Sequence, residues 1–532
     1  GHALTLVKDG ETITTINLSE GVYSPSVNGE RFPIVLPDNV HLIGASMQWT
    51  RLDAQADENA EAAVMIIKEV EDVRVANMTL TGGYSEGHGC TGGGGLLITA
   101  DDMFNGDGFD SRWTYATIEN VIIEDNHSHN GGGLSIYRSK GSVLNNVTIK
   151  NNAASAFGGG VFTYGSTVNM TNVTVTGNNN LAGTAQGGGM MMPITGGTLD
   201  NMTITDNEGC CGGGGIWTNG NYCTWTMTNS IIDGNSGDWG AGLAVLGGDV
   251  NGAVPTLINV TISDNTALSN GGAVWVVGDD GMTHPTFENC TFTGNSSSNG
   301  STIRATYGGH YSIINSIIYN NTTNLNNYGF VAAAYSNIEG SLSGTGNIDT
   351  EPKFVKVITT GDEERDYHLK DWSPAIGAGT ASGAPTTDIE GNPRPNPADS
   401  NPDMGAYENP LSSPVEHIVI VSDTLLVLED SSAAIDLQDN DLVLNVTALV
   451  LTILDSSSHG NISIAGDTML TYTPDPDFFG YDTIEYALNG STANDTGSIF
   501  ITILNEDDLP VVANAIPDVT VNEDAPDTML VD

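Results

Sequence analysis

The stretch Asn146-Val-Thr-Ile-Lys-Asn-Asn-Ala-Ala-Ser-Ala-Phe-Gly-Gly-Gly-Val161 decides the fold. Val147 and Ile149 alternate with polar residues and so share one face of a short strand. Asn152 follows Ile149 by three residues, and the glycine triplet 158–160 runs into a second aliphatic position, Val161. Both marks recur. Asn126, Asn152, Asn178, Asn207, Asn235, Asn265, Asn295 and Asn321 each stand three residues after an apolar residue, at intervals of 26, 26, 29, 28, 30, 30 and 26. Leu134, Val161, Met190, Ile216, Leu243 and Val274 each follow a triplet of Gly or Gly and Ala. Self-similarity at such a period marks an architecture of stacked repeats.

No repeat carries a helical apolar stripe, which excludes helical solenoids. Strands of a few residues turned by Gly and Asn fit a coil of 26 to 30 residues. Such coils stack into parallel sheets about 4.8 Å apart. The chain is therefore predicted to be all-β, with a right-handed parallel β-helix. The trailing Asn of each coil is expected to ladder its amide with the Asn above and below, satisfying buried turn backbone. The glycines permit positive φ and close packing of turns. The residues just before the trailing Asn are Asp125, Asn151, Gly177, Asp206, Gly234, Asp264, Gly294 and Asn320. No two acids neighbour each other in that row, as like-charge repulsion between strands requires. This spacing argues against a line of catalytic carboxylates there.

The 532 residues include 65 acids and 15 bases, a net charge of −50. That balance disfavours nucleic acid, anionic lipid and polyuronate partners. No apolar run reaches the ~18 residues of a membrane span. Between Lys150 and Arg304 there are ten acids and no base; from Asn409 to Asp532 there are 22 acids and no base. An acidic domain of this kind suits calcium, a cation of carboxylate and carbonyl oxygens, or else a solvated acidic surface. Five cysteines are too few for a disulfide framework; a bridge from Cys223 to Cys210 or Cys211 is one arrangement they allow.

Family resemblances extend this reading. The glycine-triplet and trailing-Asn marks resemble the repeats of polymorphic outer-membrane-type β-helix proteins. Gly21-Val-Tyr-Ser24, Asn28-Gly-Glu-Arg-Phe-Pro-Ile34 and Leu42-Ile-Gly44 resemble the opening coil of secreted bacterial β-helix proteins. Ser373-Pro-Ala-Ile-Gly-Ala-Gly379, Thr387-Asp-Ile-Glu-Gly-Asn-Pro-Arg394 and Asp403-Met-Gly-Ala-Tyr-Glu408 resemble the terminal segment of the same surface proteins. Residues 1–408 thus form a β-helix with a C-terminal capping segment, and 409–416 a linker. In residues 417–508, Gly460-Asn-Ile-Ser463, Leu470-Thr-Tyr-Thr-Pro-Asp475, Phe478-Phe-Gly480 and Asp482-Thr-Ile-Glu-Tyr486 resemble bacterial cadherin-like or immunoglobulin-like repeats. The resemblance implies an immunoglobulin-like β-sandwich whose linker residues Glu506, Asp507 and Asp508 bind calcium. Residues 509–532 read as the first strands of a further repeat. There Val519, Val521 and Leu530 could add as a strand to another copy, since no amphipathic helix before Ala3-Leu-Thr-Leu-Val7 is seen to cover the first coil.

Candidate sites follow from residue type. Asp101, Asp102, Asn105, Asp107 and Asp110, interleaved with Gly106 and Gly108, form a loop able to wrap calcium. His88, Cys90, His127 and His129 precede successive glycine tracts and form a zinc-compatible set. With Leu134 and its counterparts pointing inward, Ser135, Phe162, Met191, Trp217, Ala244 and Trp275 face out, so Phe162, Trp217 and Trp275 offer a surface for a glycan or another protein. The 17 N-x-S/T sequons include Asn146, Asn172, Asn201, Asn259 and Asn289, and the repeat accounts for many of them. A lyase needs a base and positive charge about its substrate, and the central coils supply no Lys or Arg. Asp279 and Asp280 are adjacent, but nothing near them in sequence completes a hydrolase pair. The sequence therefore predicts a secreted or cell-surface structural or adhesive protein. It is expected to be non-enzymatic and to partner itself as a homo-polymer, or a surface glycan or protein. A carbohydrate-active enzyme is the alternative, favoured if a basic residue meets an acid-lined groove.

Overall fold

The structure, a computed structural model, describes residues 13–86, 92–100, 113–180, 186–248, 252–278, 282–322, 326–327, 330–356 and 365–507. The chain divides into two compact units, 1–414 and 415–532.

In the first unit successive coils pair in parallel, and the register matches the repeat read from sequence. Ile123, Ile149, Val175, Ile204, Ile232, Ile262, Phe292 and Ile318 oppose one another down an eighteen-stranded sheet. Leu134, Val161, Met190, Ile216, Leu243, Val274 and Ile303 do the same down an eleven-stranded sheet. These residues are buried in one core that runs from Ile34 to Ile338. Shorter parallel sheets, including His127–Asn130 with Ala153–Phe157, form a third side.

The trailing asparagines form an unbroken ladder. Each Nδ2 from Asn126 to Asn295 donates to Oδ1 of the next Asn, ending at Asn321, at 2.9–3.0 Å. The backbone N–H of each also donates to that Oδ1, at 2.9–3.1 Å. Polar turn groups are thus satisfied inside an apolar stack. The residue before each ladder Asn lies in the left-handed region, with φ from 50° to 69°. Asp, Asn and Gly are the types that tolerate it, so conformation selects this row as well as charge spacing. Within the triplets, the first glycine adopts positive φ at Gly131 and Gly158. The second leaves no room: a Cβ on Gly132 would lie 2.2 Å from the Ala153 carbonyl of the next coil.

A second asparagine row was not legible in the sequence. Asn77, Asn120, Asn146, Asn172, Asn201, Asn229, Asn259, Asn289 and Asn315 interrupt the long sheet with φ of 49° to 56°. Here Nδ2 donates to the preceding coil, as from Asn120 to Asn77 at 2.9 Å, Asn146 to Asn120 at 2.7 Å and Asn201 to Asn172 at 2.6 Å. The sequons at 146, 172, 201, 259 and 289 coincide with this row, so a backbone requirement for left-handed Asn generates them.

The terminal segment 365–411 packs along the side of the last coils. Ile317 joins Phe354, Tyr367, Leu369, Ala375, Ile376 and Met404 in a separate apolar cluster.

The second unit is antiparallel except where Asp423–Leu428 runs parallel to Asn494–Leu504. A four-stranded sheet of Asp423–Leu428, Asn494–Leu504, Gly480–Asn489 and Val450–Asp455 accompanies a three-stranded sheet of Ala433–Asp436, Met469–Pro474 and Gly460–Ala465. Their shared core includes Leu437, Leu470, Tyr472, Ile484, Tyr486 and Ile499. Tyr472 Oη donates to Asp482 at 2.9 Å and Tyr486 Oη to Asp423 at 2.8 Å, each in the interior.

Candidate functional site

The outward row on the eleven-stranded sheet points away from the coil interior, as expected, but it is not open. Phe162 is 5% exposed and Trp217 2%, and both join Tyr137, Met191 and Ala244 in a cluster distinct from the main core. Trp275 is half-buried against it, 6.1 Å from Trp217 and 5.2 Å from Trp239 between ring centroids. Sequence parity gave the direction of these side chains but not what covers them. Phe157 and Trp239 reach in from the third side, and the turn at Gly212 overhangs Trp217, where a Cβ would lie 2.6 Å from the ring. The expectation of an accessible aromatic surface at Phe162 and Trp217 is corrected accordingly.

A charged set on the outer face of the long sheet was missed. Arg365 contacts Asp233 at 2.8 Å and Asp264 at 2.9 Å, and Tyr367 Oη donates to Asp264 at 3.2 Å. Burial raises the Asp264 carboxyl above its ordinary range, partly offset by the guanidinium. Asp233 and Asp264 lie on adjacent coils one position out of register, since Asp233 pairs with Ser263. The row without neighbouring acids therefore does not exclude two carboxylates meeting. A signal was present: of the six bases after Lys150, five fall within 353–394, and one of them, Arg365, meets these acids.

The motif residues Asp388, Arg394, Asp403 and Glu408 converge in the interior of the same segment, each at most 6% exposed. Arg394 Nε donates to Glu408 at 2.8 Å and its Nη1 to Asn259 Oδ1 at 2.9 Å. Asp403 accepts the N–H groups of Gly377 and Asn409, each at 2.7 Å. Burial, then the Glu408 charge, push its carboxyl up to about 7. Glu408 accepts from Asn396 and Asp403, and Asp388 from Glu408 and Asn392. This network ties the segment to itself and, through Asn259, to the second asparagine row.

Most of the remaining candidates cannot be placed. Asp101, Asp102, Asn105, Asp107, Asp110, Asp508, Val519, Val521 and Leu530 lie outside the described residues, as do His88, Cys90, Asp279 and Asp280. Glu506 and Asp507 are exposed, and the Glu506 N–H donates to Glu429 at 2.6 Å. His127 contacts Glu86 at 2.5 Å and His129 contacts Ser155 at 3.0 Å. Among the described residues no group of three His, Cys, Asp or Glu is arranged to hold a metal ion. Cys223 sits in the coil core with its thiol directed at Asn219 O, 3.1 Å away, so it does not bridge to Cys210 or Cys211. In the second unit, Leu426, Tyr481 and Phe500 are exposed on one sheet at 63%, 81% and 54%. They form an apolar face that composition alone concealed.

Parallel coils carrying internal side-chain ladders, followed by a small antiparallel sandwich, define a β-solenoid protein with an immunoglobulin-like domain. Comparison with known families agrees: residues 108–292 match the right handed beta helix region, and residues 413–502 match the bacterial Ig domain. No curated protein matches the chain. The pairing of these two domains fits an extracellular surface protein, and among the described residues no helix is long and apolar enough to cross a membrane.

Proposed function

We propose that the protein is an extracellular structural or adhesive protein without enzymatic activity. The coil unit serves as a stiff spacer and the Ig unit as a connector. Copies join head to tail by β-strand addition, with Val519, Val521 and Leu530 in the donor strand. Calcium binds the acidic loop at 101–110 and the linker carboxylates Glu506, Asp507 and Asp508. The observation that carries this reading is the ladder of eight asparagines through an uninterrupted core: each coil is held to the next by buried hydrogen bonds, as a rod requires. The exposed face of Leu426, Tyr481 and Phe500 adds a surface suited to protein contact. Electron microscopy of the intact protein with and without calcium tests the proposal. Filaments that need calcium and residues 511–532 are expected; assembly unchanged by deleting 511–532 would discard the donor strand.

A carbohydrate-active function is the second reading, favoured by Arg365 set between Asp233 and Asp264. Release of reducing ends from a neutral polysaccharide, lost in Asp264→Asn, would establish it in place of the structural role.

A further inference from the structure

Cys210 and Cys211 are adjacent in sequence, and their sulfurs lie 3.5 Å apart. Both are partly exposed, whereas Cys223 and Cys290 are buried in the coil core. The backbone around the pair is held from outside it. Cys210 N–H donates to Asn180 Oδ1 at 2.9 Å, and Gly209 N–H to Ser236 O at 2.8 Å. The turn continues into Gly212, packed over Trp217. Two thiols are thus presented together at a fixed, accessible turn.

We propose that Cys210 and Cys211 are a reversible redox pair, which closes to a disulfide between neighbouring residues by exchange with a small disulfide and reopens on reduction. The Cys210 thiolate attacks one sulfur of the small disulfide; a mixed disulfide forms and one thiol departs. Cys211 then gives up its proton, and its sulfur displaces the second thiol, closing the ring. The two protein thiols are oxidised, the small disulfide is reduced to two thiols, and both protons end on the departing thiols. Burial and the neighbouring sulfur push the Cys211 thiol up to about 11, which makes it a poor first attacker. Adjacent residues have Cα atoms ~3.8 Å apart, closer than the ~4.4 Å at which disulfides usually begin. The ring is therefore strained and easily reduced, the property of a labile bond rather than a structural one. The idea goes beyond the structural role; an extracellular setting would supply the oxidant, but the chemistry stands without it.

The test is incubation of the full chain with glutathione disulfide, then acid quench, alkylation and peptic digestion, since no Lys or Arg lies between Lys150 and Arg304. The wild-type peptide is expected to lose two hydrogens, carry no adduct and escape alkylation, and dithiothreitol should restore two alkylatable thiols. C210S and C211S should each retain a glutathione adduct on the remaining cysteine, with unchanged circular dichroism reporting intact folding. A wild-type adduct as persistent as in the variants, two thiols that stay alkylatable, or a cross-link to Cys90 or Cys223 would overturn the proposal.

Discussion

The coil unit and the sandwich unit bury polar groups in opposite ways. In the coils a buried amide is satisfied by its own copy one turn away, so Asn207 accepts from Asn178 and donates to Asn235. In the sandwich each buried group has a private partner: Asp482 alone receives Ser458, His459, Thr483 and Tyr472. Periodic satisfaction spreads the loss of one member over its neighbours. Private satisfaction concentrates the loss at one residue. The terminal segment at Arg394 belongs to the second kind although it lies on the first unit.

Four experiments sharpen or break this contrast. Arg394→Met strands the buried Glu408 and should cost about 3–5 kcal/mol, read as proteolytic release of residues 365–411; retention of the segment would make the network dispensable. Asp482→Ala should cost about 3 kcal/mol or more by leaving several donors unpaired. All seven Trp precede Val415, so circular dichroism should register the loss while tryptophan fluorescence keeps its melting point. Asn207→Ala should cost about 2 kcal/mol and Asn321→Ala, with one coil neighbour fewer, about half that. Equal losses in urea melts would deny that the ladder shares its load. The fourth experiment varies pH. Asp403 holds its proton in the folded protein up to about 7, above the unfolded carboxylate range. Its contribution is full below that range and fades as pH rises through about 7, by at most about 1.4 kcal/mol per pH unit. Protease sensitivity of 375–409 should grow over that interval, and Asp403→Asn should remove the trend.

The coil register was legible because apolar residue, Asn and glycine triplet each repeat at one period, and a single strand alternation fixes which face is inside. What was not legible depends on residues far apart in sequence. Arg394 meets Asn259 across 135 positions, so the motif could be quoted without its partners being known. Trp217 is covered by the turn at Gly212 and by Trp239's neighbour Trp275, which parity along one strand does not encode. The second asparagine row was hidden for another reason: the repeat accounts for the Asn-x-Thr triplets, but only the backbone reveals that Asn146 and Asn201 are left-handed.

The two asparagine rows also run in opposite senses. In the inner row each Nδ2 donates to the Asn of the following coil, from Asn126 to Asn152 and onward, and with its other hydrogen to a carbonyl of the preceding coil, as from Asn152 to Ile123. In the outer row it points to the preceding coil, from Asn146 to Asn120 and from Asn201 to Asn172. Each amide carries a dipole, and a column of aligned dipoles accumulates partial charge at its ends as it lengthens. The outer row opposes this where its asparagines pair, and it is broken where Asn229 turns to Asp200 and Asn289 to Asp403. Where both rows are paired, a coil gained by duplication adds less axial field than the inner row alone would add, and the ends of a longer solenoid are the less charged for it.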